Sequence, residues 1–149
     1  MIVVTAKVIL MGRIFRDLKV LGSKGERVFK RVLLDSGASY SVIREDVARD
    51  LCDMIPFFDE QGNAVKKTPV SLPDGEHEIN AIGRCPFQTS IDGRVVMDEA
   101  WVVDKLKADF ILGAHTLQEG NIKLVHAKKE DGGDRIELGE IDAVELWYM

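Results

Sequence analysis

The sequence predicts a mainly β domain with two short helices, and three observations carry that prediction. Polar and apolar residues alternate through "RDLKVLGSKGERVFKRVLLD" and "RCPFQTSIDGRVVMDEAWVV", as half-buried strands require. Tight-turn residues fall between the alternating halves: Gly22-Ser23-Lys24-Gly25, Pro73-Asp74-Gly75 and Asp92-Gly93. Helical spacing is confined to two short places.

In chain order, "TAKVILMG" reads as a strand, and the run from Arg16 to Asp35 as a hairpin folded at Gly22 to Gly25. "SVIREDVARDLCDM" then sets Ile43, Val47 and Leu51 four apart, with Glu45 and Arg49 able to pair, so a short helix fits. "TPVSLPDGEHEINAIG" reads as a hairpin with a Pro-Asp-Gly tip, and a second hairpin turns at Asp92-Gly93. "ADFILGAHTLQEGNIKL" gives an apolar strand ending at Gly113, a helical turn through Leu117 and a glycine-marked return. A polar loop and a last strand or two complete the tail.

A chain of 149 residues suits one compact domain that buries about two thirds of its unfolded surface. Its 46% hydrophobic and 7% aromatic content match an ordinary globular protein rather than a disordered one. The early apolar run from Val8 to Gly12 is far too short to span a bilayer and carries no leader-cleavage pattern, so the expected setting is the cytoplasm, away from membranes. Cys52 and Cys85 form no CxxC and are expected as packing residues; His77, His115 and His126 lack metal-ligand spacing. The formal net charge of -5 argues against nucleic acid as a partner. Charge is nonetheless uneven: residues 1–34 carry eight Lys or Arg against two acids, and residues 126–149 three against seven. Either these are solvated faces or the two ends attract one another.

The segment "RVLLDSGASYSVI" carries chemistry. An apolar run that stops at Asp35 and then spends Ser36, Gly37 and Ala38 before turning apolar again is not a core strand. Two carboxylates at hydrogen-bonding distance cannot both ionise, so they share a proton, one serving as base and the other as acid toward water and a peptide carbonyl. In such a site Ser36 supplies a hydroxyl that can donate to a partner loop, Gly37 brings a free N–H close to the carboxylates, and Ala38 leaves room for substrate. The chain has one Asp-Ser-Gly and no Asp-Thr-Gly. A second carboxylate must therefore come from a second copy, which a twofold axis supplies directly.

At these residues the sequence resembles the retropepsin-like aspartic proteases, the single-domain relatives of pepsin. "LLDSGAS" matches the family's apolar-apolar-Asp-Ser/Thr-Gly-Ala signature, "DFILG" before "AHTL" matches its second, glycine-ended signature, and "VSLPDGEHEI" stands where the family carries its flap. Asp-Ser/Thr-Gly alone arises by chance in about one chain in twenty of this length, so the weight rests on the three features occurring in the family's order over residues 28–125.

The resemblance implies a closed β-barrel-like retropepsin fold with one or two short helices, acting as a homodimeric endopeptidase on peptide or protein substrates, without a cofactor or metal. It implies a catalytic set of Asp35, Ser36 and Gly37. Substrate contacts are implied for Ala38, Ser39, Ile111, Leu112 and the flap residues Leu72, Pro73, Asp74 and Gly75. Gly113 is implied as the glycine of the second signature.

Some features depart from the viral members of that family. Ser39 and Tyr40 replace two acids, "REDVARDL" suggests a longer helix, and the chain continues past Leu124, where Ile136 to Met149 are expected in a modified dimer sheet. Two other readings stand beside the enzyme: a catalytically silent relative that dimerises or binds peptides, and an unrelated small β-barrel in which Asp-Ser-Gly is only a turn. Trp101 is expected as a core or sheet-face residue.

Overall fold

A computed structural model of the chain describes residues 14–71 and 78–141. The first hairpin pairs β1 (Ile14–Gly22) with β2 (Gly25–Leu34) through a two-residue turn, Gly22 opposite Gly25, as the glycine spacing predicts. Alternation along β2 is interrupted: Phe29, Val32 and Leu34 point inward, while Lys30 and Arg31 are both exposed. A bulge absorbs the extra residue. Arg31 takes a left-handed φ of 53°, and its N–H donates to the Asp17 carboxylate at 2.9 Å across the shifted register.

Beyond the Asp35 loop come β3 (Val42–Arg44) and helix α1 (Glu45–Leu51). The helical spacing from Ile43 is thus only partly realised. Val42 and Ile43 lie between two neighbouring strands and follow the sheet, and the helix begins at the acidic pair Glu45-Asp46, with the expected Glu45–Arg49 ion pair at 3.2 Å. Short strands β4 (Phe57–Phe58) and β5 (Ala64–Val65) follow.

Next, β6 (Thr68–Ser71) pairs antiparallel with β7 (Glu78–Ile91), Ser71 opposite Glu78. The expected hairpin is present in its two arms, and its Pro73-Asp74-Gly75 tip lies outside the described residues. β7 turns into β8 (Arg94–Val103) through Asp92 and Gly93, with φ of 48° and 88°, the paired left-handed geometry that Asp-Gly favours. Then follow β9 (Phe110–Leu112), helix α2 (Ala114–Glu119), β10 (Ile122–Val125) and β11 (Arg135–Leu138).

Six strands close into a barrel in the order β1-β2-β9-β3-β8-β7, with β7 returning to β1 at Val20–Thr89 and Leu21–Gln88; β6 extends the sheet beyond β7. The barrel-like, mainly β architecture read from the sequence is the one observed. The main core packs Leu34, Ile43, Val102 and Leu112 with the inner faces of β1, β7 and α1, and a second cluster gathers Val42, Val70, Ile79, Val103 and Ile111. Full burial of each such side chain contributes about 1.5–3 kcal/mol. No helix among the described residues is long and apolar enough to cross a membrane.

Cys52 and Cys85 are both buried, as packing residues would be, but they are not independent: a disulfide joins them, with Cα atoms 6.1 Å apart. The reason is tertiary. The chain leaving α1 runs beside β7, where Ile55 and Arg84 exchange two backbone hydrogen bonds at 2.8 and 2.9 Å and bring the two cysteines together.

The basic N-terminal third also finds local partners. Arg16 pairs with Asp92, Lys19 with Glu26, Arg27 with Asp50 and Lys30 with Asp17, while Arg135 in the tail pairs with Glu137. These pairs are solvent-exposed and each is worth little. In the tail, β11 pairs with β10, and residues 142–149 lie outside the described set.

Candidate active site

Two parallel strand ends create the site. β2 and β9 run side by side with Leu33 opposite Ile111 and Leu34 opposite Leu112, so Asp35 and Gly113 leave the barrel together. The Asp35 N–H donates to the Leu112 carbonyl at 2.9 Å, the last ladder bond before the loop. The loop then folds on itself: Ala38 N–H donates to the Asp35 carbonyl at 3.2 Å, and Gly37 N–H to Asp35 Oδ1 at 2.8 Å. The Asp35 side chain is 2% exposed, whereas Ser36 beside it is open to solvent.

Helix α2 clamps the loop from behind. Its first N–H groups have no partners within the helix, and they donate to the loop instead, Ala114 to the Ala38 carbonyl at 2.7 Å and His115 to the Ser39 carbonyl at 3.0 Å. Gly113 makes this approach possible: a Cβ there would lie 2.5 Å from the carbonyl carbon and oxygen of Tyr40 and 2.8 Å from the Ala38 oxygen. A glycine at this position is therefore a close-packing requirement.

A buried polar chain extends from this point. The Gly113 N–H donates to Ser41 Oγ at 3.0 Å, Ser41 Oγ and Thr116 Oγ1 are 2.5 Å apart, and Thr116 Oγ1 donates to Asp98 Oδ2 at 2.7 Å. His115 Nδ1 meets the same Asp98 oxygen at 2.9 Å, and its Nε2 is 3.8 Å from Glu119. The hydrogen bond to Asp98 raises the His115 pKa; partial burial opposes this, and the charges of Asp98 and Glu119 add to it.

An aromatic shelf adjoins the loop. Tyr40 stacks on Trp101 at 5.5 Å between ring centroids, and Trp101 meets Phe57 at 4.8 Å. Trp101 is half-buried against the second core cluster, in keeping with a sheet-face residue. Two clefts flank the start of α2. One of about 370 Å³ has Ser36, Leu117, Gln118 and Ile122 in its walls, and the other, of about 280 Å³, has Ser39, Tyr40, His115 and Gln118.

The residues singled out from sequence divide into three groups. Asp35, Ser36, Gly37, Ala38, Ser39 and Gly113 come together in one loop assembly. Ile111 and Leu112 point to opposite sides, as neighbours in a strand must: Ile111 belongs to the second cluster, while Leu112 is wholly buried in the main core and offers a substrate no surface. Leu72, Pro73, Asp74 and Gly75 lie outside the described residues. Sequence reasoning missed Ser41, Asp98 and Thr116, because a short polar side chain before a strand, within one or in a helix carries no mark of the partner it meets in the fold. No group of three or more His, Cys, Asp or Glu that could hold a metal occurs among the described residues.

No family model matches the chain, and no curated protein matches it.

Proposed function

We propose that the chain is an aspartic endopeptidase acting as a homodimer, with Asp35 of each copy meeting at the twofold axis. The burial of Asp35 carries this reading. A turn-forming aspartate belongs in solvent, and burying a carboxylate is costly unless the site holds and uses it. Here it is 2% exposed, fixed by the Gly37 N–H, and set in a loop braced by two parallel strands and a helix.

One such carboxylate cannot serve as acid and base at once. Two sharing a proton can: the ionised member takes a proton from water as the water oxygen attacks the peptide carbonyl, and the protonated member gives its proton to the carbonyl oxygen. Collapse of the tetrahedral species breaks the C–N bond, the leaving nitrogen takes a proton, and no cofactor is required. The exposed Ser36 hydroxyl is available to the opposing loop, and the flap that the resemblance implies, at Leu72 to Gly75, lies outside the described residues.

The expected cytoplasmic location is in tension with the Cys52–Cys85 disulfide, since such bonds persist mainly in oxidising compartments. The catalytic reading does not depend on it. Incubation with a diverse peptide library, read by mass spectrometry, tests the activity: wild type should generate new termini, and folded, dimeric Asp35→Asn should not. Equal cleavage by both proteins would remove Asp35 from the mechanism, and a dimer that cleaves nothing would favour the silent binding module.

A further inference from the structure

The polar chain behind the loop has a fixed direction. Asp98 Oδ2, as a carboxylate oxygen, only accepts, so the Thr116 hydroxyl proton points to it. Thr116 has no second proton, so the 2.5 Å contact is Ser41 donating to Thr116 Oγ1. Ser41 Oγ in turn accepts from the Gly113 N–H. Ser41 and Thr116 are both 0% exposed, so neither hydroxyl can exchange this arrangement for water.

We propose that Asp98, on β8, is a positioning residue for the Asp35 loop, the anionic end of a one-way relay that runs from the Gly113 N–H through Ser41 and Thr116. The relay sets where Gly113 sits, and Gly113 lies directly against Ala38 and Tyr40, while the next two N–H groups hold the Ala38 and Ser39 carbonyls. A shift at Asp98 thus reaches the Asp35 loop through contacts that leave no slack. Each hydroxyl polarises the next, so the chain is stronger than separate pairs. His115 donates to the same oxygen from the solvent side and keeps Asp98 oriented. The catalytic half of this proposal rests on the peptidase reading, and the positioning half does not.

Thr116→Val removes the hydroxyl at constant shape, and Thr116→Ser keeps it. Hydrogen exchange at Gly113 and through residues 35–41 reads positioning, and kcat against KM reads its catalytic effect. Thr116→Val should speed amide exchange there by about tenfold, the value of one hydrogen bond. It should lower kcat by a similar factor, with KM within about twofold. Thr116→Ser should restore both. If Thr116→Val does not fold, Ser41→Ala, which deletes one oxygen, should show the same two changes. Unchanged exchange in a folded variant, or equal losses in Thr116→Val and Thr116→Ser, would overturn the relay. Faster exchange with unchanged kcat in an active enzyme would overturn its catalytic role. A wild type without peptidase activity would remove the peptidase reading and with it the catalytic half, while the exchange data would still decide the relay.

Discussion

The Asp35 N–H and the Leu112 carbonyl, 2.9 Å apart, tie together the two strand ends from which the loop and helix α2 depart. Around that bond the backbone is packed without space for an added side chain. The consequences for stability and for catalysis can be separated experimentally.

Gly113→Ala should be severely destabilising. Its Cβ would meet backbone atoms of Tyr40 and Ala38 at 2.5–2.8 Å, and backbone cannot rotate aside as a flexible side chain can. A loss of about 3 kcal/mol or more is expected from such overpacking, measured by urea unfolding. A loss below about 1 kcal/mol would show that the loop relaxes freely.

The Cys52–Cys85 disulfide closes a loop across a sequence separation of 33 residues. In the chain-entropy account a loop of that size is worth about 4 kcal/mol. Reductant should therefore lower the unfolding midpoint of wild type and leave Cys52→Ala/Cys85→Ala unaffected. Native alkylation of both cysteines without reductant would show free thiols instead.

His115 should titrate above the ordinary histidine range, first because of its hydrogen bond to Asp98. A histidine with a raised folded pKa contributes stability that is fully present below its unfolded pKa and fades as pH rises through the folded one. NMR titration should find the elevated value in wild type and a lower one in Asp98→Asn. An identical titration in both would dissociate His115 from Asp98.

Asp17 works in the opposite direction. The Arg31 N–H holds its carboxyl below the ordinary value; desolvation opposes this, and Lys30 adds to the lowering. Its stabilising contribution is therefore present above the ordinary aspartate pKa and is lost as pH falls through the depressed one. Asp17→Ala should lower Tm at neutral pH and flatten the acid side of the Tm profile. Parallel profiles for the two proteins would show that Asp17 does not contribute.

The hairpin turns at Gly22–Gly25 and Asp92–Gly93 were legible in the sequence because glycine and aspartate announce positive φ, and the loop assembly was legible because Asp35, Ser36 and Gly37 are out of character for a strand. Ile43 misled because four-residue spacing cannot distinguish a short helix from a strand buried on both sides. Cys52 and Cys85 misled because their meeting depends on Ile55 pairing with Arg84, a tertiary contact. Ser41, Thr116 and Asp98 were invisible for a similar reason: their roles are defined by one another, and they stand far apart in the chain.

The most direct test of a dyad built from two copies is mixing. Wild type and Asp35→Asn, allowed to exchange subunits at fixed total concentration, form active pairs only when both copies carry the aspartate, so activity should follow the square of the wild-type fraction. An equal mixture should retain about a quarter of the wild-type rate by that twofold argument. Activity proportional to the wild-type fraction, about one half in the same mixture, would mean that a single Asp35 suffices and would contradict the homodimeric dyad.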